Sequence, residues 1–224
     1  MQLEWESESV HVIEYAISER PMDVGLMGLL ADMAGGQVVI ANREPCECTT
    51  THLEVIGVAS LRGPGLVVGR SRLIGMSRKR GVVETVFELG GERAVSHSSF
   101  AVNEGILTRM TQPKEPRNEP LAVPLWEFIG ATRTADGAYI DLGPTVANHT
   151  GTMQGGSTIA LAEAAALSAV HEGETLDSVS IHYMKAVRGS RASATATRFG
   201  RSIVVDVHTD VSSTLLSRLV FAVV

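Results

Sequence analysis

The chain has 224 residues, 44% of them hydrophobic, with 25 acidic against 19 basic side chains and a formal net charge of −6. That is enough apolar material for one large domain or two small ones. The acidic balance, relieved only by the short cluster Arg78-Lys79-Arg80, excludes the concentrated basic surface that nucleic acid requires. No apolar run is read as long enough to cross a bilayer, and the acidic N-terminus MQLEWESESV lacks a secretion pattern, so a cytoplasmic protein with no membrane partner is expected.

In chain order, a first helix is expected around 22–35, within "DVGLMGLLADMAGG". Segments rich in β-branched residues follow: "TTTHLEVIGVAS", "GLVVGRSRLIGMS", "GVVETVFEL" and "AVSHSSFAVN". Cys46 and Cys48 are too close for an ordinary disulfide. With His52 they make three soft ligands without a second cluster, so no metal and no cofactor is expected. "TQPKEPRNEPLAVP" carries four of the eight prolines among charged residues, which favours extended chain and a boundary there. The second half opens with "WEFIGATRTADGAYIDLG", continues into a helix around 155–171, and closes with "DSVSIHYMKAV", "SRASATATRFG", "SIVVDVHTDV" and "LLSRLVFAVV".

The two halves repeat one order, a helix and then antiparallel strands, and "RKRGVVETV" lies over "FGRSIVVDV" as a duplication would leave it. The expected class is α+β, with repeats at 1–112 and 123–224 and a linker at 113–122. Both helices are apolar on most faces, through Leu26, Leu29, Leu30 and Met33 in one and Ile159, Leu161, Ala164, Ala165 and Leu167 in the other. Such helices are buried. A carboxylate inside one must be paired, protonated or facing a wet cavity, which singles out Asp32 and Glu163.

The pattern resembles the hotdog fold, a long central helix wrapped by an antiparallel sheet, in tandem as a double hotdog. The second half is similar to the hydroxybenzoyl-CoA and phenylacetyl-CoA group of hotdog thioesterases. In that group an Asn or Gln lies six residues before a His-Gly-Gly, and an acid follows nine after the His. Asn148, Gln154-Gly155-Gly156 and Glu163 keep that spacing, with Gln in place of His. "GRSIVVDV" resembles the Gly-Arg that begins a sheet strand in these enzymes. In the first half "LLADMAGG" matches the acid-bearing part, while Ile17 replaces the Asn and Asp23-Val24-Gly25 replaces the glycine motif. The patterns of enoyl-CoA hydratases and hydroxyacyl-carrier-protein dehydratases are absent, so the resemblance implies acyl-CoA hydrolysis.

The opening N–H groups of a helix are unpaired and its dipole favours developing negative charge, so the Gly155 amide is the expected oxyanion donor. Glu163 lies about 12 Å further along the same helix, too far to serve one carbonyl carbon with it. The acid must then come from another helix, which the resemblance implies is that of the other repeat. The expected composite site joins Asn148, Gln154 and Gly155 to Asp32, while Glu163 faces the altered first-half motif near Asp23 and Val24. Candidate catalytic residues are therefore Asp32, Asn148, Gln154, Gly155 and Glu163, and candidate substrate-binding residues are Gly156, His149, Arg201 and Arg80, the arginines as contacts for CoA phosphates. Each also has a structural reading: the glycines as a tight turn, Asn148 as a cap, the acids as partners of backbone donors. The alternative function is a non-catalytic acyl-CoA sensor of the same fold. A dimer of double hotdogs is the expected assembly.

Overall fold

The computed structural model describes residues 11–17, 22–43, 46–104, 121–148 and 151–224. The first helix, α1 (Val24–Ala41), begins where the Asp23 side chain accepts from the Leu26 N–H at 2.7 Å. This is an ordinary N-cap. It runs six residues beyond its expected end, through Gly35 and Gly36, and stops where the Asn42 amide side chain and N–H both bond the Val38 carbonyl, at 2.8 and 3.2 Å. The second long helix, α3 (Gly155–Ala166), is five residues shorter than expected. Ser168 turns back onto the Ala165 carbonyl through both its N–H (3.0 Å) and its hydroxyl (2.7 Å), tightening the last turn and ending the helix.

The strands are β1 (His11–Ile17), β2 (Cys46–Ile56), β3 (Gly65–Met76), β4 (Arg80–Leu89) and β5 (Glu92–Glu104) in the first half. A short helix α2 (Leu125–Phe128) occupies the start of "WEFIGATRT", and β6 (Thr132–Arg133), β7 (Gly137–Asp141), β8 (Leu176–Tyr183), β9 (Arg191–Phe199), β10 (Ser202–Thr209) and β11 (Ser212–Val223) follow. Strand β1, not read from the sequence, pairs along the outer side of β3. All join one antiparallel sheet in the order β1-β3-β4-β5-β2-β8-β11-β10-β9-β7-β6. Apart from β6, the second half reads back the order of the first about the β2–β8 seam, and β4 and β10, the strands of the two similar sequence segments, take matching places.

Residues alternate along these strands, with Val83, Phe87 and Leu89 of β4 and Ile203, Val205 and Val207 of β10 buried beneath the helices and the intervening residues less so. Helix α1 is long and apolar enough to meet a membrane-span criterion, with a mean hydropathy of 1.6 over 18 residues, which corrects the reading that no such run exists. Most of its apolar side chains are committed to the sheet and to α3, with Met27, Leu30, Ala31, Val38 and Val39 all buried, but Met33, expected on a buried helix, is 48% exposed. The boundary segment expected at 113–122 falls mostly outside the described residues, which resume at Leu121, whose N–H donates to the Tyr15 hydroxyl at 3.0 Å.

Candidate functional site

Helices α1 and α3 run antiparallel and nearly touch. A methyl group at Gly156 would come within 2.6 Å of the Leu29 Cα, one at Gly28 within 2.6 Å of Ile159, and one at Gly25 within 2.9 Å of the Ala160 Cα. Glycine is therefore demanded by backbone approach at Gly25 and Gly156, while at Gly28 the close neighbour is the Ile159 side chain. Asp32 and Glu163 each lie eight positions past the first residue of their own helix, about 12 Å along it. With the helices antiparallel at that offset, each acid arrives at the start of the other helix.

At one end stands Asp32. Its carboxylate accepts from the Thr50 hydroxyl and from the Gly156 N–H, and one oxygen lies 2.7 Å from where a Cβ on Gly155 would be. The Tyr183 hydroxyl donates to the Gly155 carbonyl at 2.9 Å, on the same side. Desolvation raises the Asp32 pKa above its ordinary value, and the Thr50 and Gly156 hydrogen bonds only partly oppose it. The residue is not sealed off: it is only half-buried and forms one end of a cleft of about 200 Å³. The other lining residues are Met33, Gly36, Gln37 and Ile40 of α1, Cys48 and Thr50 of β2, and Phe100 of β5.

A bulge in β2 makes this arrangement possible. The β2–β5 register shifts between Thr50 and His52, so Cys46, Cys48 and Thr50 face the helix and, beyond the bulge, Leu53 and Val55 do as well. His52 is thereby turned to the other face, where its ring lies 4.6 Å from that of His182. The ligand trio considered from the sequence is split, and no cluster of three His, Cys, Asp or Glu side chains forms among the described residues. Burial first, then the nearby Cys46, pushes the Cys48 thiol up to about 12, so it lines the cleft as a neutral group.

At the opposite end Glu163 is 4% exposed and accepts from the Val24 N–H at 2.8 Å and the Gly25 N–H at 3.1 Å. Asp23 caps α1 beside it and also accepts from the Leu125 N–H of α2 at 3.4 Å. The remaining sequence candidates are dispersed. Asn148 closes a turn, accepting from the Thr152 N–H at 3.1 Å. Gln154 is the exposed N-cap residue of α3, and its side chain makes no capping hydrogen bond. Arg201 donates to the Val223 carbonyl at 3.2 Å, and Arg80 is exposed at the start of β4, where its charge bears on His52. His149 lies outside the described residues. Sequence reasoning missed Thr50 and Tyr183. Tyr183 had a signal, since it continues the inward period of Val179 and Ile181 and a buried phenol needs a partner. Thr50, in a run of three threonines before an unforeseen bulge, had none.

What the Asp32 end can do is hold a carboxylate against the positive start of a helix, at the edge of an apolar cleft. Burial weakens its acidity, and the first backbone N–H of α3 has no carbonyl of its own helix to bond.

No family model matches the sequence, and no curated protein matches it. Solved structures do. An acyl-ACP thioesterase from Bacteroides thetaiotaomicron aligns at 10% identity and a TM-score of 0.66, covering 96% of this chain and 98% of its own. An acyl-CoA thioesterase II from Mycobacterium marinum aligns at 11% identity and a TM-score of 0.55, covering 100% and 94%. A conserved protein with hot dog fold from Alicyclobacillus acidocaldarius aligns at 13% identity and a TM-score of 0.56, covering 95% and 92%. With helices laid across one antiparallel sheet and this likeness over nearly its whole length, the chain has the hotdog fold.

Proposed function

We propose that the chain is a double hotdog, with repeats at 1–112 and 123–224 joined by 113–122, and that it hydrolyses acyl-CoA thioesters at a composite site between the two repeats. The mirrored strand order about β2–β8 supports the tandem reading. The observation that carries the function is the Asp32 carboxylate of one helix set against Gly155 and Gly156 of the other. Structures similar to this chain include both acyl-ACP and acyl-CoA thioesterases.

In this reading the thioester carbonyl sits beside Gly155, whose N–H receives the oxyanion. Asp32, ionised, either takes the proton of an attacking water or attacks directly, and the C–S bond breaks as the thiolate leaves and is protonated. Free acid and CoA thiol are the products, and one water is consumed. Thr50 and the Gly156 N–H orient the carboxylate, and Tyr183 steadies the first turn of α3. Gln154 at the cap and Asn148 in the preceding turn shape the approach to Gly155, with Gly156, His149, Arg201 and Arg80 proposed as substrate contacts. No cofactor is needed, because CoA arrives with the substrate. A cytoplasmic dimer of double hotdogs completes the proposal, and sedimentation of the pure protein tests the dimer.

The test is thiol release from acyl-CoA and acyl-carrier-protein panels by wild type, Asp32→Asn and Glu163→Gln. Asp32→Asn should lose roughly 10²–10⁴-fold in kcat, the usual contribution of a positioned acid–base group. Turnover that survives Asp32→Asn refutes the site. Saturable binding by wild type without thiol release would instead establish the sensor.

A further inference from the structure

Two adjacent glycines of α1 differ in what surrounds them. A methyl at Gly35 would press to 2.9 Å against the Phe100 ring, so core packing requires that glycine. At Gly36 the nearest atoms, Cys48 Sγ and Phe100, would be 3.7 Å away, an ordinary contact. Packing does not require glycine there, and alanine would favour a helix interior by about 1 kcal/mol. What Gly36 does is leave open the cleft that starts at Asp32, runs along α1 past Gly36 and Gln37 to Ile40, and is walled by Cys48 and Phe100.

Resting on the thioester reading above, we propose that this cleft receives the acyl group, with Gly36 as its width-setting residue and Phe100 as a wall. The cleft reaches Asp32, so a chain lying in it presents its carbonyl to the carboxylate. Its walls offer methylenes, a thioether, a neutral thiol and a ring edge, which suits a hydrocarbon and offers no cation to a charged one. Its volume of about 200 Å³, against the roughly 150 Å³ that accommodates one benzene ring, gives walled room for a single ring or about six to eight carbons. The cleft is open, so a longer chain runs out of it and its further carbons gain little burial.

The experiment compares kcat/KM for acetyl-, hexanoyl-, benzoyl-, dodecanoyl- and hexadecanoyl-CoA in wild type, Gly36→Ala and Gly36→Leu. Binding of the uncleavable thioether S-hexyl-CoA is measured alongside by calorimetry. Wild type should prefer hexanoyl or benzoyl. Gly36→Leu, which fills the slot without a clash at Cβ, should lower the hexanoyl-to-acetyl ratio at least tenfold, given about fourfold for each methylene excluded, and should weaken S-hexyl-CoA to match. Gly36→Ala should fall between and melt no lower than wild type. An unchanged hexanoyl-to-acetyl ratio in Gly36→Leu overturns the role of Gly36 in the slot while hydrolysis stands. Tight S-hexyl-CoA binding weakened by Gly36→Leu, with no thiol release from any substrate, overturns hydrolysis and keeps the acyl slot. No S-hexyl-CoA binding overturns the slot.

Discussion

Replacing Glu163 with alanine tests whether the two ends of the helix pair do different work. The Glu163 carboxylate is buried and satisfies two backbone donors at the start of α1, Val24 N–H at 2.8 Å and Gly25 N–H at 3.1 Å. Alanine leaves both N–H groups buried without that acceptor, at about 1–3 kcal/mol each. It also removes a negative charge from a helix N-terminus, worth about 0.3–1 kcal/mol or more in a buried setting. The expected loss is about 3–5 kcal/mol, which in a chain of this size lowers Tm by roughly 6–20 °C. Calorimetric melting and urea titration of wild type and Glu163→Ala read this directly, the midpoint shifting without a large change in m. A Tm within about 2 °C of wild type would refute the reasoning, because it would mean that these hydrogen bonds do not hold the helix start. Thiol release measured well below the lowered Tm should persist, and its loss in a folded variant would put the working acid at the wrong end.

Asp32 carries a prediction in pH. Its raised pKa places the rising limb of kcat/KM above the ordinary aspartate pKa of about 3.9, since the active form is the carboxylate. A profile flat down to pH 4 would exclude Asp32 as the ionising group. The same shift bears on stability. The folded state holds the Asp32 proton more tightly than the unfolded state, so the associated stability is full below the unfolded pKa and is lost as pH rises through the folded one. Asp32→Asn should therefore melt higher than wild type at neutral pH, by a margin that shrinks toward pH 4, and paired thermal melts across that range check it. Gly156→Ala should destabilise by about 1–3 kcal/mol or more and lower turnover at least tenfold, because its methyl meets the immovable Leu29 Cα at 2.6 Å and pushes α3 away from Asp32. Wild-type melting and turnover in that variant would show that the helices are not in close contact.

The pairing of each acid with the opposite helix was legible because eight positions at 1.5 Å per residue keep an acid from the start of its own helix, and the resemblance to hotdog thioesterases pointed to the helix of the other repeat. Apart from β1 and the short α2, the element order was legible from β-branched runs and turn residues. Less local features were not. Gly35 and Gly36 look like a helix end in the sequence and became its interior because Phe100, contributed by a distant strand, packs against the first. The bulge between Thr50 and His52 changes which side chains of β2 face the helix, and nothing in "TTTH" announces it. Thr50 and the cleft wall therefore stayed hidden, while Asn148 and Gln154, picked out by motif spacing, lie in the turn and cap that lead into α3.

The asymmetry between the two acids has a structural cause in what covers each end. Beside Glu163, the Asp23 cap of α1 is itself tied to α2 through the Leu125 N–H, and the carboxylate spends both oxygens on the backbone. Beside Asp32 the cleft side presents a threonine hydroxyl, a cysteine thiol and a glycine, small groups that leave it open, with the Tyr183 hydroxyl close by at Gly155. In the proposed function, two acids placed alike by their helices meet opposite requirements: Glu163 stabilises the fold by being satisfied, while Asp32, raised in pKa at the edge of a cavity, is costly to the fold when ionised and is the one assigned to the chemistry. In the tandem reading proposed above, covering one end with α2 and keeping small side chains at the other is enough to set the two ends apart without new catalytic residues.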